Sequence, residues 1–271
     1  RHDVIENLKS SSALALSGSL DAPFWIGRGG CQPAAGWTPM ENGVANLVDL
    51  AHTMGEGVIV DSSESFIEHS PELFATWALP YAYDPEATCP MWDEYLATVQ
   101  PCETDRKILQ MMLGVALVPM SDWNVLFVLT GPPGTGKSVC VDVARALVGD
   151  RNVCCVPLTS LAQRFNTRLL TENLLNLIDD MPVEAEGSSL RHIEGLLKSV
   201  VSGGLVPVER KCRDRDTDRP AIARIIMATN TLPHIFDRSD ALWDRLRIIP
   251  FDQPIRGTER QILRLQDQIT A

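Results

Sequence analysis

Eight residues, Gly131-Pro132-Pro133-Gly134-Thr135-Gly136-Lys137-Ser138, restrict this chain more than any other stretch. They fit G-x-x-x-x-G-K-S/T, in which glycines let the backbone turn its N–H groups inward and a lysine stands at the mouth of a helix. The flanks agree with that geometry. Val125-Leu126-Phe127-Val128-Leu129 is an apolar run short enough for a buried strand. A helical pattern runs from Ser138 to Val148 and ends at Gly149. Strand, glycine loop and helix predict a nucleoside triphosphate site. Backbone N–H groups and the helix N-terminus attract phosphate, Lys137 reaches the β- and γ-phosphates, and Ser138 ligates the metal. The expected contacts are Gly131, Pro132, Pro133, Gly134, Thr135, Gly136, Lys137, Ser138 and Val139, with ATP and Mg2+ as cofactors.

The text after this loop alternates in type. A strand at 153–156, a short helix at about 159–165, a strand at 174–178 and a helix at about 189–201 follow in order. Gly203-Gly204 ends that helix, a charged segment covers 207–220, and a final apolar strand runs from Ile222 to Ala228. Strands interleaved with helices predict an α/β domain with a largely parallel sheet and its ligand at the carboxyl strand ends.

Ahead of the loop the sequence changes character. Residues 1–120 hold 16 acidic and 5 basic side chains, whereas 121–271 hold 19 of each. No Lys or Arg stands between Arg28 and Arg106, so that stretch is a poor partner for a phosphate backbone. Residues 1–20 carry helical spacing and then a Ser-rich stretch, and a Gly/Pro-rich loop follows through Gly36. Short strands are expected at 43–48 and 57–60, a turn at Tyr81 to Pro85, and helices at Pro90 to Val99 and about Glu103 to Val118. The division expected is 1–40 poorly defined, 41–118 an acidic accessory or collar region of mixed α+β and helical character, and 119–271 the nucleotide-binding core.

Seven cysteines without a zinc spacing indicate a reducing compartment, most simply a cytosol. No run is long enough for a membrane span, and the first residues lack a signal peptide's plan. A chain starting at Arg1 reads as a processed or excised end.

Three further positions suit phosphoryl chemistry. Leu174-Leu175-Asn176-Leu177-Ile178-Asp179-Asp180 is an apolar strand ending in two acids; Asp179 would hold the metal and Asp180 would orient the attacking water. Alternatively the pair caps a strand end in solvent. Ile225-Ile226-Met227-Ala228-Thr229-Asn230 ends in an amide that can stand beside a γ-phosphate, or serve as a turn residue. Arg245 can stabilise phosphoryl-transfer charge across a subunit contact, with Arg247 as its rival. Arg210, Lys211, Arg213, Arg215 and Arg219 form the densest basic cluster, diluted by Glu209, Asp214, Asp216 and Asp218. It reads either as a lining for single-stranded nucleic acid or as a solvated loop.

The order of these motifs resembles the superfamily 3 helicases, closest to the primase-helicases of phages, plasmids and large DNA viruses. It is carried by the glycine loop, Asp179-Asp180, Leu196-Leu197-Lys198 with Gly203-Gly204, and Ala228-Thr229-Asn230-Thr231-Leu232-Pro233. Asp237 to Arg245 and Ile249-Pro250-Phe251 complete it. Upstream, Asn42-Gly43-Val44, His69-Ser70-Pro71, Leu79-Pro80-Tyr81, Tyr83-Asp84-Pro85 and Cys89-Pro90 look like the region before that core. The resemblance implies a P-loop NTPase core of AAA+ type in a hexameric ring, hydrolysing ATP at subunit contacts and moving along single-stranded DNA in replication of a mobile element. It implies a sensor role for Asn230, a trans-acting finger role for Arg245, and a DNA-contacting hairpin at Val206 to Arg215 just after Lys198. Lys198, Arg210, Lys211, Arg213 and Arg215 are the expected DNA contacts. A primase domain or replication-initiation protein is an expected partner, and any primase motif or loading domain would lie outside this chain. Two other readings stay open: an AAA+ ATPase that remodels protein complexes, and a nucleotide-gated scaffold without turnover.

Overall fold

The computed structural model describes residues 23–27, 30–34, 36–50, 65–119, 123–161, 163, 165–179, 187–208, 217–232, 240–259, 265 and 269. The expected helix within 1–20 and strand at 57–60 lie outside these residues.

Two small antiparallel sheets come first. β1 (Phe24–Gly27) pairs β2 (Gly30–Pro33), while β3 (Trp37–Met40) and β4 (Gly43–Asn46) form a second hairpin. β5 (Phe66–Ile67) joins β4 and β6 (Leu73–Phe74) joins β1. Residues 24–27 and 30–33 are thus paired strands, where the sequence predicts a loop. Phe24, Trp25 and Ile26 are strand-forming residues, and the Phe24 and Phe74 rings stack with centroids 5.0 Å apart.

Helices α1 (Pro90–Val99) and α2 (Glu103–Ala116) follow. Pro90 opens α1, where a missing N–H costs nothing. Glu103, Asp105 and the Glu103–Lys107 pair support the first turn of α2.

A five-stranded parallel sheet forms the centre. In chain order its strands are β7 (Leu126–Thr130), β8 (Val153–Cys154), β9 (Leu175–Asp179), β12 (Arg224–Thr229) and β13 (Leu246–Pro250), and in space they run β13-β7-β12-β9-β8. The remaining elements are α3 (Lys137–Val148), α4 (Asn166–Glu172), α5 (Gly187–Val201), the hairpin β10 (Leu205–Val208) and β11 (Thr217–Pro220), and α6 (Asp240–Trp243). All of β12 is buried, as expected of a strand covered on both faces.

Strand alternation divides the core between the two faces. Phe127, Leu129, Leu175, Leu177, Ile226, Ala228 and Ile249 point into one cluster with α1, α2 and α3, and that cluster also takes in Met40, Ala45, Trp77 and Leu79. Leu126, Val128, Ile178, Ile225, Met227 and Leu246 point into the other, with Leu197, Val200 and Val201 of α5 and Val206 of β10. Residues before the glycine loop therefore pack on the same face as the helix that follows it. Asn152 adds a polar tie, donating its side-chain amide to Ala78 O and to Val148 O, each at 2.8 Å.

Two further elements differ from expectation. The helix expected at about 159–165 is a 3-10 turn, Leu158–Ser160, followed by α4 from Asn166. Phe165 adopts φ 71, a left-handed conformation that breaks any continuous helix there. Strand β13 adds an edge strand to the four that the sequence predicts for this sheet. At the other edge, β8 stops at Cys154, but the buried Asn176 amide extends the pairing. It accepts from Val156 N at 2.7 Å and donates to Val156 O at 3.0 Å. Gly203 ends α5 with φ 62, and Gly204 N donates to Ser199 O, as the double glycine predicted. Among the described residues no helix is long and apolar enough to cross a membrane.

Candidate functional site

The glycine loop leaves β7 at Thr130 and delivers the chain to the first turn of α3. Gly131, Gly134 and Gly136 have φ of 149, 83 and 99, values that side-chain-bearing residues rarely adopt. Thr135 braces the curve by donating its hydroxyl to Pro132 O at 2.9 Å. Lys137 is buried, and its ammonium donates to Gly131 O and, at 2.8 Å, to Pro132 O. The backbone N–H groups of Gly134, Thr135, Gly136 and Ser138 find no acceptor among the described residues. Several unsatisfied N–H groups, a lysine and a helix N-terminus make a concave donor set suited to the oxygens of a polyphosphate.

Sheet register sets the other groups around this loop. Thr130 lies opposite Thr229 on one side and Pro250 on the other, and Ala228 lies opposite Asp179. Asn230, the residue after β12, therefore leaves the sheet between the glycine loop and the exposed Asp179. Two strand spacings separate Thr130 from Asp179, roughly 10 Å. A hydrogen bond from the Thr229 hydroxyl to Thr231 O, 2.7 Å, shapes the turn that carries Asn230. Lys137, Ser138, Asp179 and Asn230 thus share the carboxyl edge of the sheet. Asp180 lies outside the described residues.

Arg245 is not with them. It precedes β13, and its carbonyl accepts from Leu126 N, 2.9 Å away, at the amino edge of the sheet. The length of β7 separates that backbone from the loop, about 16 Å by strand rise. Arg247 turns back to its own surroundings, donating to Asp244 O at 2.7 Å and to Leu246 O at 3.1 Å.

Lys198 stands in the last turn of α5 and is half-buried. Arg210, Lys211, Arg213 and Arg215 lie outside the described residues, but the strands that bracket them pair as a hairpin, Leu205 opposite Pro220 and Val208 opposite Thr217.

Two elements that motif reading did not associate with the loop pack directly on it. A Cβ on Gly136 would lie 2.9 Å from Val99 and 3.4 Å from the Tyr95 ring, and the Tyr95 hydroxyl bonds to the Gly136 carbonyl. Burial raises the Tyr95 hydroxyl well above its usual pKa and pushes the neighbouring Cys140 thiol up to about 12. Gln100, at the end of α1, donates to Pro250 O at 2.6 Å. From the other side come residues 251–256: Phe251 N donates to Thr130 O, and Ile255 N and Arg256 N both donate to Gly134 O. Their only sequence signal was the run Ile248-Ile249-Pro250-Phe251.

Comparison with known proteins adds to this geometry. Residues 37–101 match the D5 N terminal like family, and residues 129–245 match a family of unknown function, DUF5906. A curated relative is "Putative helicase L207/L206" of Acanthamoeba polyphaga mimivirus, 23% identical over an alignment of 169 residues, with 58% of this chain covered. The likeness is to a helicase. In solved structures the fold is similar to the apo NrS-1 C-terminal region, with TM-score 0.54 and 14% identity over 70% of this chain. A second structure of that region, its A form, gives TM-score 0.52 and 16% identity over 72%. The chain spans 16% of the viral relative's length, and 46% and 44% of the two solved chains.

Proposed function

We propose that this chain is the ATP-driven motor module of a replicative helicase, working at subunit contacts of a ring, of superfamily 3 AAA+ type, that moves on single-stranded DNA. The D5-like match and the helicase-like viral relative support a primase-helicase family and an enzyme. The observation that carries the reading is the sheet order, which sets the Asn230 strand between the Lys137 loop and the Asp179 strand.

In this reading the Gly134, Thr135, Gly136 and Ser138 N–H groups and Lys137 bind the β- and γ-phosphates of ATP. Ser138 and Asp179 hold Mg2+, which when bound neutralises phosphate charge. Among the described residues no group of three or more His, Cys, Asp or Glu side chains forms a metal site. Two protein ligands suit an ion that keeps water and substrate phosphate around it. Asp180 and Asn230 orient a water for attack on the γ-phosphorus, breaking its bond to the β,γ-bridging oxygen. Arg245, remote from its own loop, serves the neighbouring subunit's loop. Lys198 and the cations between β10 and β11 in the sequence, Arg210, Lys211, Arg213 and Arg215, follow the phosphate backbone of single-stranded DNA.

The test is ATP hydrolysis with and without single-stranded DNA, at concentrations that assemble the ring, with Lys137→Ala as the blank. Stimulation by DNA is expected. Turnover indifferent to DNA would move the assignment to a protein-remodelling ATPase, and binding without turnover to a nucleotide-gated scaffold.

A further inference from the structure

The segment after β13 brings a cation to the glycine loop that no role above uses. Phe251 N donates to Thr130 O at 2.7 Å, and a Cβ on Gly131 would lie 2.1 Å from Phe251 O, so the chain runs hard against the start of the loop. At the loop's middle, Ile255 N and Arg256 N reach Gly134 O at 3.0 and 2.9 Å. A turn fixes this contact. Thr258 N donates to Ile255 O at 3.1 Å, the Thr258 hydroxyl adds a bond of 2.7 Å to the same oxygen, and Gly257 supplies φ 79.

Arg256 is therefore rooted at the second position of a closed turn. Its stem lies along Gly134: a Cβ added to that glycine would sit 2.9 Å from Arg256 Cβ and 3.6 Å from Cδ. The space left by the missing side chain is the space the arginine stem uses. The residue is exposed, and its guanidinium makes no hydrogen bond or ion pair with any described residue. A guanidinium presents forked donors that match phosphate oxygens, and it gives up hydration more readily than an ammonium.

We propose that Arg256 is a second cation of the nucleotide site, supplied by the same subunit as Lys137, that binds the polyphosphate chain. The proposal rests on the nucleotide reading of the glycine loop. It differs from the Arg245 assignment in acting within one subunit and on binding.

The experiment is titration of the protein with ATP, ADP and adenosine at low salt. Arg256→Met keeps an apolar stem over Gly134 and removes the charge. It should weaken ATP and ADP by about tenfold, the worth of one charged hydrogen bond, and leave adenosine unchanged. Arg256→Lys should recover part of that loss, whereas a purely packing role would favour Met at least as well as Lys. Thermal unfolding without nucleotide should match the parent for both variants. Unchanged ATP and ADP affinity in Arg256→Met, beside a clear loss in Lys137→Ala, would overturn the role of Arg256 alone. Equal weakening of adenosine would overturn it in favour of a base contact. Unchanged binding in Lys137→Ala would remove the glycine-loop reading and Arg256 with it.

Discussion

Tyr95 donates its hydroxyl to the carbonyl oxygen of Gly136 across 3.0 Å, and so ties α1 to the residue that caps α3. Val139 and Cys140 N–H groups share that carbonyl, so removing the hydroxyl strands no acceptor. Tyr95→Phe should cost about 1 kcal/mol, the net worth of one hydrogen bond. Tyr95→Ala should cost about 3–5 kcal/mol, because the ring itself is buried. Urea midpoints at constant m-value check both, and a Phe variant indistinguishable from the parent would remove any weight from the hydroxyl.

Gly131 is predicted to tolerate no side chain. Its φ is 149 and the atom it would meet at 2.1 Å is backbone, the Phe251 oxygen, which cannot rotate away. Gly131→Ala should destabilise the fold by at least about 2 kcal/mol. Gly195, exposed in α5 with nothing within 4 Å of its added Cβ, is the matched control. Gly195→Ala should be neutral or stabilising by up to about 1 kcal/mol. Thermal unfolding should shift downward for Gly131→Ala and stay level or rise for Gly195→Ala.

Arg245→Ala should abolish ATP hydrolysis while nucleotide affinity stays at the parent value, since the arginine stands at the far edge of the sheet from its own loop. Mixing these subunits with Lys137→Ala subunits should restore turnover, because some contacts then pair an intact loop with an intact arginine. Loss of nucleotide binding in Arg245→Ala alone would contradict action across a contact.

Stability should fall in alkali. Burial pushes Cys140 and Cys154 from 9.0 up to about 12, and Tyr81 from 10.0 up to about 12. A group whose folded pKa is raised contributes stability that is complete below its unfolded pKa and is lost as pH rises toward the folded one. Urea midpoints should therefore hold steady up to about pH 9 and decline above it, by up to about 1.4 kcal/mol per pH unit for each thiol. At neutral pH the exposed Cys89, Cys102 and Cys155 should label with maleimide, whereas Cys140 and Cys154 should need unfolding first.

Much of this was legible in the residues because local chemistry agreed with the fold. Pro90 and the periodic apolar positions gave α1 its bounds, and the double glycine gave α5 its end. What escaped was decided at long range. β1 is held by Phe74, far along the chain, which no local pattern announces. β13 shows exposed Arg247 and Ile248 beside buried Leu246 and Ile249, a mixed edge-strand pattern rather than the continuous apolar run of β7. α4 begins only after Phe165 takes a left-handed backbone that an aromatic residue rarely adopts. At the candidate site, the motif named Lys137, Ser138, Asp179 and Asn230, and sheet order accounts for their common edge. The clamp of Tyr95, Gln100 and residues 251–256 carries no spacing rule, because it is written in packing against glycines.

The position of Arg245 at the amino edge and of the glycine loop at the carboxyl edge gives each protomer two unlike poles. If one pole serves the other on the next member of a ring, association is head-to-tail, and each contact pairs one member's arginine edge with its neighbour's loop edge. An open arc then always has one loop with no arginine facing it and one arginine facing solvent. Only closure makes every site complete, so turnover per protomer should climb with assembly and step upward when the last gap is filled.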